Sequence, residues 1–233
     1  MVNILWSFLY LLITFGITLL TYRYFGRVGL FIWICLSIVV TNIQSVKIIE
    51  VFGLTTALGN IAYSNIYLAT DIISEKYGKK SANTSVLFGF LTMLVFTMLM
   101  SLSLLFKPGE FDVSQSSLIK IFTVVPRITL ASVLAYVCSQ FLDIFIYDKL
   151  KKKYNKLWIS NNVGTITSQI VDTIIFVIIA YVGTMPFKEI IIMMLTMYLL
   201  KVIIALLDTG YIYIAKKIKA RELVLDKENQ EKE

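Results

Sequence analysis

The stretch TTALGNIAYSNIYLATDII, residues 55–73, decides the fold, because it can be interpreted either as a membrane-crossing helix or as a polar loop. It has the length of about 20 residues that a helix needs to cross the ~30 Å hydrocarbon core of a bilayer. Four polar residues interrupt it, namely Asn60, Ser64, Asn65 and Asp71. The composition and the loop charges of the rest of the chain are needed to choose between a membrane-crossing helix and a polar loop.

The composition of the whole chain is that of a membrane protein. Of its 233 residues, 58% are hydrophobic and 16% are charged, and the mean hydropathy is +0.78. Soluble domains average roughly half apolar and about a quarter charged residues. We therefore predict an all-α polytopic membrane protein. The further apolar runs that are long enough to span a bilayer are 4–22, 28–48, 84–106, 119–147, 161–183 and 188–214.

The charges of the connecting loops favour a helix at 55–73. Basic loops of membrane proteins face the cytoplasm. The basic loops of this chain all lie on the same side of the membrane only if residues 55–73 also cross it. The sequence thus predicts about seven transmembrane helices in a single bundle, residues 1–215, with the N-terminus outside. Residues 216–233 form a charged cytoplasmic tail. The basic loops are 22–28, 74–83 and 148–160.

Enzymatic chemistry finds no support in the sequence. There is no histidine, and the two cysteines, Cys35 and Cys138, lie in apolar runs. The chain also has no GxxxxGK[ST] phosphate loop and no clear GxSxG nucleophile motif. We predict no catalytic residue, no metal and no cofactor. The net charge of +7 follows the positive-inside rule, so we expect the lipid bilayer and not nucleic acid as a partner.

Polar residues recur inside four of the predicted spans at steps of three or four. This spacing places them on one face of each helix. An ionisable group at the centre of such a helix costs about 2.5–3.5 kcal/mol on insertion scales, so these faces must converge on the bundle interior. The four stripes are Asn60, Ser64, Tyr67, Asp71 and Glu75; Tyr136, Gln140, Asp143 and Tyr147; Asn162, Thr165, Gln169 and Asp172; and Tyr198, Lys201, Ala205 and Asp208.

Two interpretations of these stripes stay open. The groups could pair with each other and hold the helices together, with Arg127 or Lys201 satisfying Asp172. They could instead line a solute site near the bilayer midplane, where secondary transporters bind their substrates. The number of ionisable groups favours the solute site, with Asp172 and Lys201 at the midplane. A pair of small residues, Ala131 and Ala135, predicts close helix packing. The residues expected in the inner third are Asp71, Asp143 and Asp208.

Four blocks of sequence resemble one known family. The first is TNIQSVKIIEVFGLTTALGNIAYSNIYLATDIISEKYGKKSA, residues 41–82, and the others are RITLASVLAYVCSQFLD (127–143), TITSQIVDTIIF (165–176) and YLLKVIIALL (198–207). Their order and spacing are similar to those of the queuosine precursor transporter family, formerly named as vitamin uptake transporters. The resemblance implies a six-helix core like the substrate-binding components of energy-coupling-factor transporters, plus one extra N-terminal helix. It also implies a bacterial cytoplasmic membrane.

The resemblance further implies uptake of 7-cyano-7-deazaguanine, 7-aminomethyl-7-deazaguanine or queuine. A carboxylate can accept the two donors of a guanine-like edge, and Asp172 is the expected residue. Amides would donate to the acceptors of the base, arginine and lysine would meet acceptors or balance charge, and tyrosines would stack on the ring. The expected substrate-binding residues are Asn42, Asn60, Tyr63, Tyr67, Arg127, Tyr136, Gln140, Gln169, Asp172 and Lys201. Those expected for gating or ion coupling are Asp71, Glu75, Asp143 and Asp208.

The sequence leaves three functions open. The favoured one is a facilitator or secondary transporter that works by alternating access. The chain could also be the substrate-capture subunit of a complex with a separate ATPase and a coupling protein. A non-transporting receptor or assembly protein is the third alternative. The sequence does not decide whether the chain forms a homodimer.

Overall fold

The computed structural model describes residues 2–122, 126–183 and 186–221, which are almost entirely helical. Five helical segments of this described part are long and apolar enough to cross a membrane. The predicted class of an all-α membrane protein is confirmed. The elements are α1 (Val2–Gln44), β1 (Ile48–Val51), β2 (Leu54–Ala57), α2 (Leu58–Ala62), α3 (Ser64–Ser103), α4 (Gln115–Phe122), α5 (Pro126–Tyr154), α6 (Leu157–Tyr181) and α7 (Phe187–Lys217).

The first helix, α1, folds back on itself at Gly26. This glycine has φ 56° and ψ −139°, which is not helical. A straight helix would hold Tyr10 and Gln44 about 51 Å apart, yet the Tyr10 hydroxyl donates a hydrogen bond of 2.9 Å to Gln44 Oε1. α1 therefore consists of two antiparallel helices, which occupy the positions of the first two expected spans.

The third helix, α3, folds back in the same way at Gly78, which has φ 78° and ψ 173°. Tyr63 and Gly89 would lie about 39 Å apart along a straight helix, but both contact Tyr136. The rings of Tyr63 and Tyr136 are 5.9 Å apart, and a methyl group on Gly89 would lie 2.2 Å from the Tyr136 hydroxyl. The two antiparallel halves of α3 are residues 64–77 and 79–103.

A short β-hairpin, which the sequence analysis did not predict, separates the two doubled helices. Strands β1 and β2 pair antiparallel, with Ile48 opposite Ala57 and Val51 opposite Leu54. The two-residue turn between them has positive φ at Phe52 and at Gly53, as a type I′ turn requires. As a result, the second half of α1 ends at 44 and not at the expected 48, and the next helix begins at 58 and not at 55. The expected span 119–147 overlaps the described parts of α4 and α5, and its residues 123–125 lie outside the described residues.

The bundle has two chemically different ends. At the hairpin end, Asn3 Nδ2 donates a hydrogen bond of 3.0 Å to the carbonyl of Glu50. At the opposite end, the turn of α1 meets the end of α7, where Arg221 N donates to the carbonyl of Arg23 at 2.8 Å. We call this second end the basic end, because most of the lysines and arginines collect there. They are Arg23, Arg27, Lys76, Lys79, Lys80, Lys149, Lys151, Lys152, Lys153, Lys156, Lys216, Lys217, Lys219 and Arg221.

The outer surface of the bundle is apolar and its interior is partly polar. Large apolar side chains such as Ile32, Leu91 and Leu199 are more than half exposed, which suits contact with lipid chains and not with water. The most extensive helix contact is between α5 and α6, and the small residues Ala131 and Ala135 are buried on α5. Buried carboxylates, amides and a lysine occupy the centre, which is where a functional site is expected.

Candidate functional site: a central cavity above a polar column

A cavity opens in the middle of the bundle and reaches toward the hairpin end. The centre of a water molecule can occupy about 60 Å³ of it, room for roughly five waters at about 10–15 Å³ each. Six helices and the hairpin contribute to its wall. The residues that line it are Ile38, Thr41, Asn42, Ser45, Ala57, Gly59, Asn60, Tyr63, Met93, Ser132, Ala135, Asp172, Phe176, Tyr181 and Lys201.

A buried ion pair lies in the cavity wall. Lys201 Nζ of α7 donates to Asp172 Oδ2 of α6, and both side chains are less than a tenth exposed. The other carboxylate oxygen, Oδ1, accepts a hydrogen bond of 3.0 Å from Ser139 Oγ on α5. Ser139 Oγ in turn accepts from the Tyr67 hydroxyl at 2.8 Å. The chain of contacts fixes the direction of both carboxylate oxygens and leaves the pair open to the cavity on one side.

Two groups of aromatic rings lie at the cavity. Tyr63 packs edge to face against Tyr67 and Tyr136, with ring centroids 5.6 and 5.9 Å away. Phe176 and Tyr181 of α6 form a second edge-to-face pair at 6.1 Å. Because Tyr63, Phe176 and Tyr181 also line the cavity, a planar ring in the cavity would have aromatic neighbours from two directions.

Some polar atoms in the cavity wall have no partner in the structure. The hydroxyl of Tyr63 and Oγ1 of Thr41 are buried and make no hydrogen bond. Asn42 uses its Nδ2 on the carbonyl of Ile38, and Asn60 uses its Nδ2 on Thr56. Buried polar groups without a partner are rare and destabilising, so the Tyr63 and Thr41 hydroxyls suit a polar solute that would complete their bonds.

Below the cavity, α5 and the first half of α3 run parallel and meet through polar pairs at regular intervals. Tyr67 bonds to Ser139 and Glu75 bonds to Tyr147, each across 72 positions of sequence. Asp71 and Asp143 form the pair between them at the same spacing. Successive pairs lie four residues apart, which is about 6 Å along the helices. We call these three pairs the polar column.

The middle of the column is rich in carboxylates. Asp71, Asp143 and Asp208 are at most 1% exposed. Asp71 and Asp143 face each other between the Tyr67–Ser139 and Glu75–Tyr147 hydrogen bonds, and Ser168 Oγ donates to Asp143 Oδ1 at 3.1 Å. Asn161 Nδ2 donates to Asp208 Oδ1 at 3.1 Å. None of the ion pairs among the described residues involves these three carboxylates.

The column ends at the basic end in a cluster of ion pairs around Glu75. Its carboxylate lies 2.7 Å from Lys151 and 3.1 Å from Lys216, and it accepts a 2.6 Å hydrogen bond from Tyr147. A second cavity, of about 480 Å³, lies beside this cluster and is lined by Ser74, Tyr147 and Lys151 among others. The Glu75 cluster therefore stands between the carboxylate layer and the water of the basic end.

The expected site residues fall into distinct groups. Asn42, Asn60, Tyr63, Asp172 and Lys201 line the cavity. Tyr67, Tyr136, Gln140 and Gln169 are buried but do not line it. The expected gating residues Asp71, Glu75, Asp143 and Asp208 lie in or beside the column.

Arg127 lies away from the cavity, on the exposed surface. It donates hydrogen bonds from Nε and Nη2 to the backbone carbonyls of Ile179 and Val182. These are among the last carbonyls of α6, which lack partners within the helix. Arg127 therefore caps the end of α6, and Asp172 takes Lys201 as its cation.

Several cavity residues were not expected from the sequence. They include Thr41, Ser45, Ser132, Phe176 and Tyr181. Ser132 lies four residues before Tyr136, and Phe176 lies four residues after Asp172, so both continue helical faces that the polar stripes had already defined. A search of those faces for aromatic and hydroxyl side chains would have found Ser132 and Phe176.

Among the described residues, no group of three His, Cys, Asp or Glu side chains is placed to hold a metal ion.

Comparison with known proteins gives one family and several relatives. The model of the family described as "Putative vitamin uptake transporter" matches residues 57–215. The chain is 41% identical over 219 residues to the "Probable queuosine precursor transporter" of Bacillus subtilis (strain 168), covering 93% of this chain and 95% of the relative. It is 26% identical over 161 residues to the "Queuosine precursor transporter" of Escherichia coli (strain K12), covering 69% and 71%. No solved structure matches the chain.

Proposed function

The chain belongs to the vitamin uptake transporter family, and from this premise we propose that it imports 7-deazaguanine precursors of queuosine through the central cavity. The names of the family and of the relatives indicate transport and not catalysis. The single observation that carries the choice of site is the Asp172–Lys201 pair in the wall of a cavity whose lining residues Tyr63 and Thr41 have unpartnered hydroxyl groups.

The chemistry of a deazaguanine fits this cavity. Its guanine-like edge presents an N–H and an amino group, which carboxylate oxygens accept. Asp172 has lone pairs left beyond its bonds to Lys201 and Ser139, and Lys201 has further N–H donors for the carbonyl of the base. Tyr63 and Phe176 supply aromatic surface for the planar rings. The same residues suit all three candidate precursors, because the precursors differ only in the substituent at one ring position.

We further propose seven membrane crossings with the basic end in the cytoplasm. The halves of α1 and of α3, together with α5, α6 and α7, supply the seven segments. The lysines and arginines collected at one end favour that end as the cytoplasmic one, because positive charge is retained inside. In this orientation the cavity faces outward and the Glu75 cluster closes the cytoplasmic side.

In an alternating-access cycle, the present conformation would be the one that is open to the outside. In the present conformation the solute would reach the Asp172–Lys201 pair from the hairpin end. Release requires the polar column between α3 and α5 to separate, so that the solute can pass to the basic end. The contacts that must break are those of Tyr67 with Ser139 and of Glu75 with its three partners, and Asp71 and Asp143, which face each other between them, must move apart.

Uptake into liposomes that contain only this protein tests the proposal. We expect labelled 7-cyano-7-deazaguanine to enter, unlabelled base to compete, and Asp172→Asn to abolish entry. Asp148→Asn is the matched control, because Asp148 is a carboxylate of the basic end that pairs with Lys152, far from the cavity. Uptake that needs an added ATPase and coupling protein would contradict transport by this chain alone. Failure of all three bases to bind the purified protein would contradict the site.

A further inference from the structure

We infer that the Asp71–Asp143 pair is a proton-binding site, and that the proton it holds drives transport. The inference deepens the proposed function and rests on it, because a coupling proton has meaning only if the chain moves a solute. It concerns the carboxylate layer of the column, which the solute cavity does not use.

The first step is the contact between the two carboxyl groups. Asp71 is 0% and Asp143 is 1% exposed, and the two lie opposite each other between the Tyr67–Ser139 and Glu75–Tyr147 hydrogen bonds. Asp71 Oδ2 accepts from Thr165 at 3.5 Å, and Asp143 Oδ1 accepts from Ser168. The remaining oxygen of each, Oδ1 of Asp71 and Oδ2 of Asp143, has no donor. Two ionised carboxylates cannot share such a place, whereas one proton between them makes a hydrogen bond.

The second step concerns a buried amide that is bonded to the third carboxylate of the layer. Asn161 is fully buried, and its Nδ2 donates to Asp208 and to Thr209 Oγ1. Its Oδ1 has no donor. In the layer formed by Asp71, Asp143, Asp208, Asn161, Thr165 and Ser168, every buried atom without a partner is therefore an acceptor oxygen. Hydrogen-bond donors are what these atoms lack, and a proton shared by Asp71 and Asp143 would supply one between the two carboxyl groups.

The third step is the charge around the pair. α3 presents Tyr67 and Glu75 one turn to either side of Asp71, and α5 presents Tyr147. α6 presents Asp172, and α7 presents Asp208 and Lys201. Of these groups only Lys201 is cationic, and it is bonded to Asp172. Glu75 has its own lysines. In the second half of α1, the side chains that are at most 1% exposed are apolar, namely Leu30, Ile34 and Ile38.

No fixed positive charge therefore balances Asp71, Asp143 and Asp208 in the part of the chain that the structure describes. A mobile cation has to do so, and a proton is the one that two facing carboxyl groups can share in a hydrogen bond. The proton enters the pair from the outer side with the solute. It leaves to the cytoplasm when the column separates and water reaches the two carboxylates. One proton and one neutral base cross together, so the charge of the resting protein is restored.

The experiment uses liposomes that contain the full-length protein, with 7-cyano-7-deazaguanine as the solute and a pH gradient that is acidic outside. A gradient of one pH unit supports about tenfold accumulation of a neutral solute that moves with one proton. We expect this accumulation in the wild type, its loss with a protonophore, and alkalinisation of the outer medium when base is added without a gradient.

The variants Asp71→Asn and Asp143→Asn should lose gradient-driven accumulation but keep exchange of internal for external base, because exchange needs no net proton movement. Asp148→Asn should keep both. Infrared spectroscopy gives a second measurement that does not depend on transport. The carbonyl band of a protonated carboxyl group should be present in the wild type and absent from Asp143→Asn.

Wild-type uptake that follows a sodium gradient and ignores the pH gradient would overturn the inference. So would intact proton-driven accumulation in either asparagine variant, or an unchanged infrared band. These results leave the proposed function standing, because uptake itself persists. Absence of any base binding or uptake by the wild type would instead remove the proposed function and, with it, the role of the proton in transport.

Discussion

The Tyr147 hydroxyl donates a hydrogen bond of 2.6 Å to Glu75 on a different helix, which joins the basic ends of α5 and the first half of α3. Lys151 and Lys216 bind the same carboxylate from α5 and α7. One side chain, less than a tenth exposed, thus holds three helices together where the column meets water. Its loss should affect the opening of the column more than the cavity above it.

Glu75→Gln should open the column toward the cytoplasm, because a neutral amide attracts Lys151 and Lys216 much less strongly. A cysteine placed at Ser74, which is 7% exposed, should then react with a water-soluble maleimide roughly tenfold faster, as expected for a shift of about 1.4 kcal/mol. The measurement needs a background in which Cys35 and Cys138 are replaced. Asp148→Asn is the control and should leave the rate unchanged. Equal labelling with and without Glu75 would show that the cluster is not a gate.

Asp172→Asn and Lys201→Met should each destabilise the protein, because each leaves one buried charge without its partner. Breaking a buried pair from one side costs about 3–5 kcal/mol. The double variant removes both charges and should recover most of the thermal stability in detergent. None of the three variants should bind a deazaguanine. A double variant that is stable and still binds would show that the pair has only a structural role, which is the alternative that the sequence left open.

Tyr63→Phe should weaken ligand binding without lowering stability. Tyr63 lines the cavity, and its hydroxyl makes no hydrogen bond in the structure, so removal of the hydroxyl breaks no bond in the free protein. A hydrogen bond to the solute is worth about 0.5–1.5 kcal/mol, and we expect the dissociation constant to rise roughly two- to tenfold in calorimetry. The matched control is Tyr10→Phe, whose hydroxyl bonds to Gln44 outside the cavity. That variant should bind normally.

Arg127→Ala should lower the melting temperature slightly and leave binding unchanged. The side chain is exposed and holds two terminal carbonyls of α6, so its loss should cost about 1 kcal/mol. Calorimetric titration with each of the three bases, next to thermal unfolding, checks both expectations. A large loss of affinity at constant stability would return Arg127 to the substrate site that the sequence analysis gave it.

Helical periodicity explains how much of the site could be predicted. Asp172, Lys201 and Asn60 lie on stripes with steps of three or four, and the structure brings them to one cavity. The sequence analysis expected Arg127 in the substrate site, whereas the structure has it bonded to carbonyls at the end of α6. A sequence position near a helix end does not tell whether a long side chain turns inward or reaches the neighbouring helix. For the same reason, the sequence could not decide whether Arg127 or Lys201 pairs with Asp172.

The fold was predictable in its helices but not in its connections. The strands β1 and β2 are four residues each, too short for an alternating pattern to stand out beside long apolar runs. Phe52 and Gly53 form their turn, and Phe rarely adopts the positive φ that Asn or Asp would signal at this position. Gly26 and Gly78 lie where α1 and α3 reverse direction. The basic loops 22–28 and 74–83 had already predicted a reversal at both places.

The spacing of 72 positions between column partners also bears on how the protein is made. Ribosomes add about 5–20 residues per second, so Asp71 and Glu75 are synthesised about 4 to 14 s before Asp143 and Tyr147. During that interval the polar face of the first half of α3 has no partner helix, and the translocon or the lipid headgroup region has to shelter it. Substitutions that slow the insertion of α5 should therefore reduce the amount of protein that reaches the membrane, even where the finished fold would tolerate them.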